Sequence, residues 1–87
     1  MITRTILIEL LEGEQREIAI KDYAIANLMD DEKQQRHEGF KRRAETTQQA
    51  IERNKAQRAK ALARAAALTE AINKFPESNT ANYPKEV

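Results

Sequence analysis

Residues 3–20 read Thr-Arg-Thr-Ile-Leu-Ile-Glu-Leu-Leu-Glu-Gly-Glu-Gln-Arg-Glu-Ile-Ala-Ile, and the fold turns on how this stretch is read. Thr3 to Leu11 is rich in β-branched residues and too short to display a helical period. Arg16 to Ile20 alternates polar and apolar, and Glu12-Gly13-Glu14-Gln15 between them contains a glycine able to adopt a positive φ. Two apolar runs around a short glycine turn predict a β-hairpin over 3–20, with Ile6, Ile8 and Leu10 answered across the turn by Ile18 and Ile20. The rival reading is a helix through Ile6, Leu7, Leu10 and Leu11 that Gly13 would end.

A two-stranded hairpin alone is marginal in water, so its apolar face needs a cover. Asp22 reads as the N-cap of a short helix carrying Ile25, Leu28 and Met29 on one face. Ten of the fourteen Ile and Leu residues lie at or before Leu28, which places the expected core in the N-terminal part. From Asp30 to Ala50 the chain is almost all polar but dominated by helix formers, with Gly39 marking a kink or break. A second stripe then runs through Phe40, Ala44, Thr47, Ile51, Arg58, Ala61, Leu62, Ala65, Leu68 and Ile72. Its spacing, mostly of three or four residues, predicts a helix from about Lys41 to Lys74. Asn54 and Arg58 interrupt the stripe, which argues against a strong isolated coiled coil and can fix register. Phe75-Pro76 closes the helix, because a residue before proline avoids the helical region.

The expected architecture is therefore α+β: an N-terminal β-hairpin, a short helix and one long C-terminal helix, forming a single small domain over residues 1–75. Its hairpin occupies 3–20 and its helical part 22–75. Residues 76–87, rich in Asn, Ser, Pro and Lys, read as a flexible, disordered tail.

Composition narrows the function. The 87 residues hold 40% hydrophobic side chains, yet 14 of these 35 are alanine, leaving a thin core for so extended a pattern. Self-association, with a homo-oligomer such as a homodimer as its product, or docking on a larger partner is the expected remedy. No cysteine is present, so disulfides, thiolate metal sites and thiol catalysis are excluded. No apolar run approaches the ~20 residues of a bilayer span, and the N-terminus lacks a signal peptide's apolar block. These features predict a cytoplasmic protein with no membrane role, of the size common among phage and mobile-element accessory proteins.

Catalytic groupings are sparse, and no enzyme, metal or cofactor is expected. His37 has Lys33 four residues before it and Lys41 four after it, a positive setting that opposes metal binding. Ser78 has no base to activate it. Asp30, Asp31 and Glu32 point about 100° apart on a helix and cannot converge on a cation, so they read as a cluster at a helix start. The two glycines lie too far apart for a phosphate-binding loop.

Charge is the most informative pattern. Residues 1–32 hold three basic and eight acidic side chains, residues 33–64 ten basic and three acidic, so an acidic head of −5 precedes a basic body of +7. Winding the second helix at about 100° per residue gathers Arg42, Arg53, Lys60 and Arg64 within roughly 40° of one another. A ridge of Glu38, Glu45 and Glu52 runs beside them. This basic line is the candidate partner-binding face, since arginine grips carboxylates or phosphates in pairs of hydrogen bonds. The expected function is a non-enzymatic adaptor or inhibitor that binds a larger protein, one belonging to nucleic-acid machinery among the candidates. The alternative is a nucleic-acid-binding regulator that places the same face on phosphates, which the glutamate ridge and the lack of stacking aromatics disfavour. Deleting Glu77 to Val87 is expected to leave the melting temperature unchanged, and a large fall on calorimetry would show that Tyr83 or Val87 is docked.

Overall fold

The computed structural model describes residues 2–75, and two helices of 34 residues account for nearly all of them: α1 over Arg4–His37 and α2 over Lys41–Lys74. They run antiparallel as a helical hairpin joined at residues 38–40. No strand occurs among the described residues. The α+β fold with an N-terminal β-hairpin is thus corrected to an all-helical one, while α2 begins and ends where its apolar stripe predicts. The tail expected over 76–87 lies outside the described residues.

Residues 3–20 become helical for reasons visible once the partner helix is in place. Thr3 is extended (φ −115°, ψ 165°), and its Oγ1 accepts a hydrogen bond from the Ile6 amide at 3.2 Å, so the threonine read as a strand residue is instead an N-cap. The inward residues are not Ile6, Ile8 and Leu10 as a set. Leu7, Leu11, Glu14, Ile18, Lys21, Ile25, Leu28, Glu32 and Gln35 recur at alternating intervals of four and three, and every one of them is at least half-buried. Such a row faces a single neighbouring helix along its whole length. Glu14 and Lys21 within it hide the period from a reader who counts only apolar residues. The cost of β-branched isoleucine in a helix, up to ~0.7 kcal/mol per residue, is offset by the burial of Leu7 and the partial burial of Leu11 and Ile18, full burial of one such side chain being worth ~1.5–3 kcal/mol.

Asp22 is correspondingly not an N-cap; it sits in the middle of α1 and reaches Arg58 of α2. Asp30, Asp31 and Glu32 likewise occupy α1 rather than a helix start, where Glu32 Oε2 receives Arg36 Nη2 at 3.0 Å.

On α2 the matching row is Ala44, Thr47, Ile51, Asn54, Arg58, Ala61, Ala65, Leu68, Ile72 and Phe75, all buried or half-buried. Ala44 and Ala61 have no exposed surface, and Ile51 is only 2% exposed. Three inter-helix hydrogen bonds fix the register: Thr47 to Gln35, Arg58 to Asp22 and Arg64 to Glu14, with residue numbers that add to about 80 in each pair. That mirror relation sets Leu7 against Ile72, Leu11 against Leu68, Ile18 against Ala61 and Leu28 against Ile51. Large side chains of α1 largely meet small or β-branched ones of α2, so the alanine-rich run over 56–71 lets α1 approach. Apart from Phe40 and Leu62, which stay exposed, the stripe of α2 is therefore covered by the same chain's α1.

The reversal between the helices has its own chemistry. Gly39 adopts φ 85°, the only positive φ among the described residues. Its amide donates to the Arg36 carbonyl at 3.1 Å, and the Phe40 amide donates to that of Gln35 at 2.8 Å. This pair of bonds closes α1 as a Schellman motif, which requires a left-handed residue at the glycine's position. Phe40 then acts as the N-cap of α2 with no side-chain hydrogen bond, and its ring lies 5.2 Å from the Arg43 guanidinium carbon. At the far end Phe75 is extended (φ −66°, ψ 132°), as a residue preceding Pro76 must be.

Gly13 lies inside α1, and a Cβ built there meets nothing within 4 Å. Gly13→Ala should therefore stabilise the protein by about 0.5–1 kcal/mol through helix propensity. Gly39→Ala should destabilise it by about 1 kcal/mol or more, because alanine cannot take that φ without strain. Urea melts of the two variants check both signs, and equal behaviour would refute the assignment of the turn.

Candidate protein-binding face

Arg42, Arg53, Lys60 and Arg64 are all exposed on α2, as a line on the outer side of a helix requires. The structure does not treat them alike. Arg64 Nε donates to Glu14 Oε2 at 3.0 Å, an ion pair between the two helices. That hydrogen bond outweighs the opposing desolvation and, with the charges of Glu14 and Glu17 added, raises the guanidinium above its ordinary pKa. Arg64 is thus partly engaged in holding the hairpin's register. Arg53 and Lys60 form no salt bridge among the described residues. Arg42 stands about 16 Å along the helix from Arg53, in the first turn of α2, where it lines shallow hollows with Gly39, Phe40, Lys41 and Arg43. Arg53, Lys60 and Arg64 form the compact part of the line, and Arg42 is an outlier near the turn.

Glu38, Glu45 and Glu52 are not one ridge. Glu38 is the C-cap of α1, leaving only Glu45 and Glu52 on α2. The acidic groups that act on Arg64 are Glu14 and Glu17 of α1, brought there by the pairing of the helices.

Sequence reading missed the clamps. Arg58, taken as an interruption of the stripe, bonds Asp22 on one flank of the seam, while Arg64 and Glu14 bridge the other. Asn54, the second interruption, turns its amide Nδ2 back to the Ala50 carbonyl at 2.8 Å, and Thr47 Oγ1 donates to Gln35 Oε1 at 2.8 Å. The available signal was opposite charges placed symmetrically about Gly39.

Other candidate chemistry stays dispersed. His37 is exposed in the last turn of α1, beside Asp30, Lys33 and Gln34. Lys41 belongs to the next helix and does not lie one turn beyond His37 on α1. Ser78 lies outside the described residues. No group of three or more His, Cys, Asp or Glu side chains that could hold a metal ion occurs among the described residues. No helix among them is long and apolar enough to cross a membrane. The chain matches no protein-family model, no curated protein and no solved structure. What the fold and this face define is a two-helix antiparallel hairpin with a charged outer surface.

A double-mutant cycle on Asp22→Asn and Arg58→Met should give a coupling energy of about 0.2–1 kcal/mol that shrinks with added salt, since both side chains remain partly exposed. A coupling near zero at low salt would mean that this pair does not set the register.

Proposed function

We propose that this protein is a non-enzymatic, cytoplasmic adaptor or inhibitor whose α2 face, centred on Arg53 and Lys60 and flanked by Arg64, docks on an acidic surface of a larger protein. The observation that carries this reading is the segregation of charge on a rigid support. Arg53 and Lys60 stand exposed with no ion pair among the described residues, about two helical turns apart, beside an arginine already matched to a carboxylate. A face that already accepts Glu14 is chemically suited to accept other carboxylates.

Phosphate backbones are the less favoured ligand. Glu14 and Glu17 border the line and would repel phosphates, and no Phe or Tyr lies on it to stack against a base. A nucleic-acid-binding regulator therefore remains the second reading, resting on the +7 balance of residues 33–64.

Tagged protein exposed to nuclease-treated extract should retain a defined acidic protein at physiological salt. Arg53→Ala combined with Lys60→Ala should release it without altering the helical circular dichroism signal. Binding to random duplex at ~150 mM salt should already be weak in the unmodified chain. Sub-micromolar duplex binding at that salt, abolished by the same double substitution, would reverse the ranking of the two readings.

A further inference from the structure

α1 carries a second row beside the one packed on α2. Ile6, Leu10, Gly13, Glu17, Ile20 and Ala24 recur at intervals of four and three, and five of the six are apolar or lack a side chain. A helix with one partner needs one such row, whereas two adjacent rows mark a helix in a bundle of three or more. Ile6, Leu10 and Ile20 are nevertheless 40%, 52% and 59% exposed. The row lies about 100° around α1 from Leu7 and Leu11, on the flank where Glu14 meets Arg64 and where Glu17 acts on the same guanidinium. On that flank α2 presents Arg53, Lys60 and Arg64 together with the exposed Ala67 and Ala71. One face of the hairpin thus has an apolar strip with a glutamate on α1 and a basic strip with small residues on α2.

We infer that two copies of the hairpin stack through this face with their open ends together, α1 of each lying on α2 of the other, to form a four-helix bundle. The inference rests on the reading that the basic face takes an acidic protein surface, and it names the α1 of a second copy as the surface that occupies it. A larger acidic partner would then compete with self-association for the same cations.

Two arrangements about a two-fold axis are open to such a pair, and charge chooses between them. With the hairpins aligned, Ile6 and Leu10 fall at the level of Ala71 and Ala67 of the second copy, large side chains against small. Glu17 falls beside Lys60 and Arg64 of that copy, and the acidic segment 1–32 lies along the basic segment 33–64. With one hairpin reversed, α1 lies on α1 and α2 on α2, so Arg53, Lys60 and Arg64 of the two copies confront one another. Like charges in register are repelled, and the aligned bundle is favoured.

Sedimentation equilibrium of the full chain at micromolar concentration should give twice the 10.0 kDa monomer mass. Lys60→Glu, on an exposed residue, should raise the dissociation constant about tenfold or more while helicity is kept, and Glu17→Lys added to it should restore association. Leu10→Gln offers an independent disruption through the apolar strip. The absence of cysteine allows a single spin label at Glu38→Cys, and the two labels should lie within about 30 Å, against about 50 Å for the reversed pair. A monomer throughout, a dimer indifferent to Lys60→Glu and Leu10→Gln, or a separation near the longer value would overturn the arrangement. A monomer that still captures an acidic protein through Arg53 and Lys60 would overturn the self-pairing and leave the basic face as the binding site. Failure of both capture and self-association would remove the basic face itself.

Discussion

Everything in this molecule depends on the mutual burial of two thin seams, one on each helix. Neither row could hold a helix by itself: α1 interrupts its leucines and isoleucines with Glu14, Lys21 and Glu32, and α2 interrupts its own with Thr47, Asn54 and Arg58. Laid against each other, the rows exclude water from Leu7, Ala44, Ile51, Ala61 and Ile72, the buried residues among those described. Most helical stability in proteins comes from packing an amphipathic face rather than from propensity. Here that face is supplied within the same chain, at the modest entropic cost of closing a three-residue turn.

Polar groups in and beside the seam act chiefly on register. A row of aliphatic side chains alone would tolerate a slip by one heptad, because each large residue would find another hole. Arg58 with Asp22 on one flank, and Arg64 with Glu14 on the other, are satisfied in one alignment only. Exposed ion pairs add little to total stability, and their worth here lies in discriminating among alignments. Gly39 contributes the same selectivity at the turn, since its positive φ fixes where α1 ends and hence which residues can face each other.

The same pairing shapes the candidate site. A line of basic residues on an isolated helix would be a polyanion binder by default. Bringing α1 alongside places Glu14 and Glu17 at the border of Arg64 and engages that arginine, which leaves Arg42, Arg53 and Lys60 as the cations of the line with no salt bridge among the described residues. It also leaves Ile6, Leu10 and Ile20 exposed on that flank, which gives the face an apolar component that phosphate binding does not need.

By itself the sequence determined α2 from Lys41 to Lys74, because its apolar and small residues keep a helical interval over ten positions and Phe75-Pro76 ends it. It also determined the segregation of charge and the exposure of the basic line. The structure of residues 3–20 was decided only by tertiary contact. Over so short a stretch, Ile6, Ile8 and Leu10 satisfy a strand's alternation as well as Leu7 and Leu11 satisfy a helix's period. The tie breaks only when the row is followed through Glu14 and Lys21 to Leu28 and an alanine-lined partner is present to receive it. The roles of Asp22, Arg58 and Arg64 were equally beyond local reading, since a charge on a helix declares its partner only when a second helix, folded back about Gly39, brings the opposite charge within reach.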